Sequence, residues 1–199
     1  MFKFLKHSLL VFSLLSLFSA CTETPETKTI VKPSVTKTND CIYSIDDSAI
    51  RVFWAGYKTE DKLKVIGQFK ETKTNRSKQE FSSINELVSG TSFSINTSSS
   101  ASGDEIRDLN LQEHFFNLFT DNFEIKGVLG GFSKDSITAT LSLLGMEKDL
   151  KLSYTLKENA LKMKGTLSIK DFGAVKAYNS IHLKCFDLHK GVTWDDVDV

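Results

Sequence analysis

Proline is nearly absent from this chain of 199 residues: there are two, Pro25 and Pro33, and both precede residue 41. Beyond that point no backbone N–H is missing, so any segment is free to join a hydrogen-bonded ladder. Motifs for hydrolytic or phosphate chemistry are also lacking. There is no Gly-x-Ser-x-Gly elbow, no HExxH pair and no glycine-rich phosphate loop. Histidine is scarce, with four residues, and His7 falls in the N-terminal apolar segment, leaving His114, His182 and His189. A metal-dependent enzyme would need its site near the C-terminus, where His182, Cys185, His189 and several aspartates gather. On a helix, however, His182 and His189 would lie about 10 Å apart, too far to chelate one ion together. No catalytic residue and no metal site is therefore expected. Charge of either sign is not in excess, with 25 basic and 25 acidic residues. Lysines alternate with apolar residues instead of clustering, which leaves no footprint for a nucleic acid.

What is present begins with a targeting segment. Lys3 and Lys6 precede "SLLVFSLLSLFSA", an apolar run too short to span a bilayer as a helix and ending in small residues. That is the anatomy of a secretory signal peptide over residues 1–20. The run stops at "FSAC", which resembles the lipobox of bacterial lipoproteins, with Phe18 where leucine is usual. The resemblance implies that Cys21 is acylated and becomes the mature N-terminus, with enough acyl chains for stable membrane anchoring. Thr22 in place of aspartate implies the outer membrane of a Gram-negative-type envelope, facing the periplasm. Residues 21–40 are rich in Thr, Lys and Glu and hold both prolines. They cannot bury enough apolar surface to offset chain entropy, so a flexible tether is expected. Residues 41–199 remain as one domain, ample for its own core.

That domain alternates with period two. Ile137, Ala139, Leu141 and Leu143 fall on one side of "SITATLSL", and Leu150, Leu152, Tyr154 and Leu156 on one side of "DLKLSYTLK". Leu161, Met163, Leu167 and Ile169 repeat the pattern with Gly165 in register. Such runs are strands with one apolar face. The connections "GFSKDS", "LGMEK" and "KENA" are of hairpin length, so neighbours are antiparallel. Residues 50–59 and 63–71 form another hairpin, and 91–96 and 122–131 two further strands. Seven to nine strands with internal glycines at 56, 67, 127 and 165 suit a sheet that bends and closes. The expected fold class is all-β: an antiparallel up-and-down barrel of about eight strands, with a two-sheet sandwich as alternative. Any strand edge left open is a route to a homodimer.

Two helices interrupt the strands. "SGDEIRDLNLQEHFFNLF" opens with Ser102 and Glu105 at capping-box spacing and carries Ile106, Leu109, Phe115, Phe116 and Phe119, as a helix plugging the barrel would. Residues 174–190 place Ala174, Ala177, Ile181, Cys185 and Leu188 on one helical face. If the barrel holds a cavity, its walls come from inward positions such as Trp54, Phe69, Phe93, Ile125, Leu141, Leu152 and Met163, with Phe116 from the first helix. Alternation alone does not separate lining from plain core packing.

The order of motifs, from "VFWAGYKTEDKLKVIGQF" through "TSFSINTSSS", "GDEIRDLNLQEHFF" and "IKGVLGGFSKDSITATLSLLGMEKDLKLSYTL" to "IKDFG", resembles the YceI-like family of secreted bacterial proteins over nearly all of residues 41–199. The resemblance implies an extended lipocalin-like antiparallel barrel; the residues themselves add a C-terminal helix and a short last strand, the short C-terminus being a departure from the family's pattern. The resemblance also implies a long apolar ligand inside, an isoprenoid quinone or polyprenyl lipid, for which the protein is carrier, reservoir or sensor and not an enzyme. An anchored interaction module of the envelope without a bound lipid is the alternative. Cys41 and Cys185 form an even pair in an exported domain and read as a disulfide, with two free thiols as alternative. Such a bond would stabilise by roughly 4–5 kcal/mol in the chain-entropy model. The C-terminal "TWDDVDV" reads as a short terminal strand sealing the barrel.

Overall fold

Nearest neighbours in sequence are nearest neighbours in the sheet almost throughout this chain. The computed structural model describes residues 41–118 and 122–199. The signal segment, Cys21, the tether and Phe119 lie outside them. The described strands are β1 (Val52–Lys58), β2 (Leu63–Phe69), β3 (Thr72–Asn75), β4 (Ser92–Asn96), β5 (Ser100–Ala101) and β6 (Glu124–Phe132). They continue with β7 (Ser136–Leu143), β8 (Met146–Lys157), β9 (Ala160–Lys164), β10 (Thr166–Ser168) and β11 (Asp196–Asp198). Helices α1 (Ile84–Val88), α2 (Glu105–His114) and α3 (Val175–Lys184) sit in the connections.

The strands form two sheets, ordered β10-β11-β1-β2-β5 and β3-β4-β6-β7-β8-β9, with every pairing antiparallel. Three chain segments belong to both sheets in turn: β2 runs on into β3, β4 into β5, and β9 into β10. At one corner the ladder is carried across by Lys70 N–H to Ser99 O and Asn96 N–H to Glu71 O. At the other, Gly165 and Val199 exchange both backbone hydrogen bonds, 3.0 and 2.9 Å. Taken as continuous strands, eight therefore follow one another around a closed barrel. Closure removes the exposed sheet edges.

Alternation put most of the core where it was expected, although Leu156, at the far end of β8, is exposed. Ile137, Ala139, Leu141 and Leu143 of β7 are buried, as are Leu150 and Leu152 of β8. Ala139, Leu141, Leu143, Leu150 and Leu152 pack in one cluster with Trp54, Phe69, Phe116, Ile169 and Phe172. Three of the strand glycines also leave space for large neighbouring side chains. A Cβ on Gly67 would lie 2.2 Å from the Trp54 ring, one on Gly127 2.5 Å from the Phe93 ring, and one on Gly165 2.7 Å from Leu152. Trp54 faces Gly67 and Phe93 faces Gly127 across adjacent strands. Large side chains thus lie flat against the barrel wall where a neighbouring strand has no side chain.

Several expectations need correction. The cap of α2 is Asp104, which accepts from Arg107 N–H at 2.9 Å. Ser102 instead donates through its backbone N–H and hydroxyl to Asp108, tying β5 to the helix. Ile106 and Leu109 are exposed, while Phe116 is buried and Phe115 and Leu111 pack partly against the core. The second helix stops at Lys184, after which the chain turns back on itself, so Leu188 is exposed rather than buried. Cys41 and Cys185 are free thiols. Cys41 is exposed and close in sequence to Tyr43, which bridges to Phe81, while Cys185 is buried beyond the Lys58 end of β1. No disulfide links them.

Among the carboxylates that hold the closing strand, Asp198 makes the most contacts. Asp198 on β11 accepts from Lys64 Nζ (2.8 Å), Thr166 Oγ1 (2.8 Å) and the Tyr57 hydroxyl, joining β1, β2, β10 and β11. The Lys64 ammonium, then the Tyr57 hydroxyl, hold its pKa down from 3.8 to about 2. Because the folded value lies below the unfolded one, this contribution is complete above about pH 4 and is lost as pH falls through about 2. The side chain keeps 34% of its exposure, so solvent screening reduces the effect. Asp198→Asn is expected to destabilise by about 1 kcal/mol at neutral pH. It should also flatten the acid limb of the stability profile between pH 4 and 2, measured by denaturant titration across pH. An unchanged acid limb would show that closure does not depend on this carboxylate.

Candidate functional site

Inside the barrel runs a cavity of about 450 Å³. Ligand pockets span roughly 300–1,000 Å³. Its walls are the inward faces of β1, β2, β6, β7, β10 and β11, closed over by α2 and α3. Period two in β1 sends Trp54, Gly56 and Lys58 to this interior. Gly56 has open space where a side chain would be, with no atom within 4 Å of its Cβ position.

One end is aromatic. Phe69, opposite Val52 at the start of β1, meets Phe116 edge to face at 5.8 Å, and Phe115 meets Phe116 likewise at 5.2 Å. Trp54 lies on the same wall and donates from Nε1 to Ser100 Oγ at 3.0 Å. The other end, six residues further along β1 and so ~20 Å away, is polar. Lys58 lines it with His189 and Thr193, and Lys58 and Thr193 form an isolated backbone bridge. Thr193 is the hub: its hydroxyl contacts Nδ1 of both His182 and His189 at 3.2 Å, and its carbonyl accepts from Tyr178 OH at 2.8 Å. Tyr178 and His182 are stacked in parallel, ring centroids 6.0 Å apart.

Burial, then the Lys58 and His182 charges, push His189 below the usual histidine value. Burial pushes the Cys185 thiol up, against the smaller opposing pull of Lys184 and Lys58. The imidazole is thus held neutral and the thiol protonated at neutral pH. Near α2, Asp104 and Arg107 line the cavity as an ion pair at 3.0 Å. Ile106 and Leu188 both line the cavity and stand exposed, at 75% and 73%, so apolar surface continues from the interior to solvent.

Of the residues expected to line a cavity, Trp54, Phe69, Phe116, Ile125 and Leu141 do. Phe93, Leu152 and Met163 do not; Phe93 and Leu152 lie against Gly127 and Gly165 instead, and Met163 packs partly against the core. Gly56, Lys58, Phe172 and Thr193 line it without having been singled out. For Lys58 and Gly56 the signal was available, since they share the parity of Trp54. His182 and His189, expected about two helical turns apart, instead converge on one hydroxyl because α3 ends before His189. Among the described residues no group of three or more His, Cys, Asp and Glu side chains is placed to hold a metal ion.

No curated protein matches the chain by sequence. Among solved structures, a polyisoprenoid binding domain from Saccharophagus degradans, implicated in plant cell wall breakdown, superposes with a TM-score of 0.55 at 12% identity, covering 78% of this chain and 92% of that one. BcnA of Burkholderia cenocepacia superposes with a TM-score of 0.52 at 12% identity, covering 74% and 91%. At such identity these likenesses establish the fold. The family model of the YceI-like domain matches residues 43–199, from the first described bridge to the residue after the closing strand. The chain belongs to the YceI-like domain family.

Proposed function

We propose that this protein binds one elongated apolar lipid in its barrel, an isoprenoid quinone or polyprenyl lipid, as carrier or reservoir. The observation that carries the reading is the largely apolar cavity that follows β1 for ~20 Å to a polar end at Lys58 and reaches the surface at Ile106 and Leu188. A volume of about 450 Å³ drawn out over that length is narrow, with room for one extended chain. The Saccharophagus domain of the same fold is a polyisoprenoid binding domain, which supports an isoprenoid rather than a compact ligand. The reading is of a binder rather than a catalyst. Most polar groups on the wall are engaged with one another, as in Asp104 with Arg107 and Tyr178 and His189 with Thr193.

The N-terminal sequence supports a place for this activity. The lipobox-like "FSAC" with Thr22 favours acylation at Cys21 and attachment to the outer membrane, facing the periplasm. A tether over residues 21–40 would let the barrel mouth reach the membrane that supplies its ligand.

Protein purified without organic solvent is expected to carry an apolar molecule near one per chain, recovered by solvent extraction and identified by mass spectrometry. Empty protein from both the native and a heterologous host, with no uptake of added isoprenoid, would reject the reading.

A further inference from the structure

Among the described residues two basic side chains, Lys58 and Arg107, line the cavity, and one of them is neutralised. Arg107 is paired with Asp104. Lys58, half-buried, has no acidic partner among the described residues, although Lys62 and Lys64, on the adjoining strand and turn, pair with Asp196 and Asp198. An ammonium without a counter-ion at the end of an apolar chamber is costly unless an anion reaches it. The groups beside it complete a polar end. His189 and Thr193 line the same wall, and Thr193 is held in place by His182, His189 and Tyr178. At the opposite end the described lining residues are aromatic, Phe69, Phe115 and Phe116.

We infer that Lys58 is the headgroup-recognising residue of the cavity, and that the ligand is an amphiphile with a single apolar chain ending in an anionic head. The chain lies toward Trp54, Phe69 and Phe116, and the head meets Lys58 beside His189 and Thr193. This rests on the lipid-binding reading and narrows it, favouring an acidic polyprenyl lipid over a neutral quinone. The attraction is strong for a single contact because the site is partly desolvated and the hydrogen bond is charge-assisted.

The test uses the full chain, stripped of lipid, with two probes sharing one chain: farnesyl monophosphate and farnesol. The wild-type protein is expected to bind the phosphate roughly tenfold more tightly than the alcohol. Lys58→Met removes the charge at nearly constant length, so it should bring the two affinities within about twofold, chiefly by weakening the phosphate; Lys58→Arg should keep the preference. Inorganic phosphate at the same concentrations should not displace either probe, since it lacks the chain. Equal affinities in the wild type, or a preference that survives Lys58→Met, would overturn the assignment. Displacement by inorganic phosphate would show an anion site independent of the chain and overturn it as well. Failure of both probes to bind folded wild-type protein would instead reject the lipid-binding reading, and this inference with it.

Discussion

Gly56→Trp should leave the barrel folded and without room for its ligand. Gly56 sits mid-strand on β1, opposite Val65, with its Cβ direction facing into the cavity and no atom within 4 Å. An indole built there occupies the chamber between Trp54 and Lys58. The same substitution ought to favour the fold. Glycine inside a strand costs about 0.5–1 kcal/mol relative to residues with side chains, aromatic residues suit strands, and the new ring buries apolar area. Binding of an isoprenoid probe is therefore expected to weaken by roughly tenfold or more. The melting temperature of lipid-free protein should rise by about 2–4 °C for each kcal/mol gained. The comparison must be made between lipid-free proteins, because a ligand that binds only the folded state stabilises the wild type by mass action. Opposite signs separate a filled cavity from a damaged fold. A Gly56→Trp protein that binds as well as the wild type would place the ligand elsewhere than in this chamber.

The barrel itself was legible because its physics is periodic. Ile137 to Leu143 and Leu150 to Leu152 announce an inward face by alternation, and the hairpin-length breaks order the strands without further information. What escaped were pieces without apolar periodicity. Strand β3 carries threonines on its inner side, so "TKTN" has no hydrophobic signal, and it is a strand because β2 continues around the corner. Helix α1 is too short for a periodic face, yet it had a readable start. Ser83 accepts from Glu86 N–H at 3.2 Å, and Glu86 reaches back to Ser82, close to a capping box.

The site was legible in part, and for a related reason. Parity tells which residues face inward but not which of them meet empty space. Phe93 and Leu152 face in and are absorbed by glycines across the ladder, whereas Ile125 and Leu141 meet the void. The convergence of His182 and His189 on Thr193 depends on where α3 stops, and a helical projection running on to residue 190 places them wrongly. The same overrun put Leu188 on a buried face when it belongs to the open rim of the cavity.

Gly67→Ala should be far more harmful than its single methyl suggests, in contrast to substitution at Gly56 in the neighbouring strand. The added Cβ would stand 2.2 Å from Trp54 Cζ2 and 2.4 Å from Cε2. The indole cannot simply withdraw. It is 8% exposed, packed in the core, and fixed by its N–H bond to Ser100 Oγ. Either the ring leaves its place and that bond, or β1 and β2 move apart along a seven-residue ladder. Overpacking of this kind costs about 1–3 kcal/mol, and Gly67→Val should reach the upper end or beyond. A double-mutant cycle identifies the cause. Trp54→Leu alone creates a cavity and costs several kcal/mol, about 2–5 by analogy with other large-to-small core changes. In the Gly67→Ala background it should cost markedly less, because the smaller side chain relieves the collision. Equilibrium denaturation of the four proteins, lipid-free, measures the coupling. Strictly additive losses would mean that Gly67 is required for its backbone conformation and not for the space it leaves to Trp54. The predicted coupling would instead establish that the missing side chain on β2 is what seats the tryptophan at the wall of the cavity.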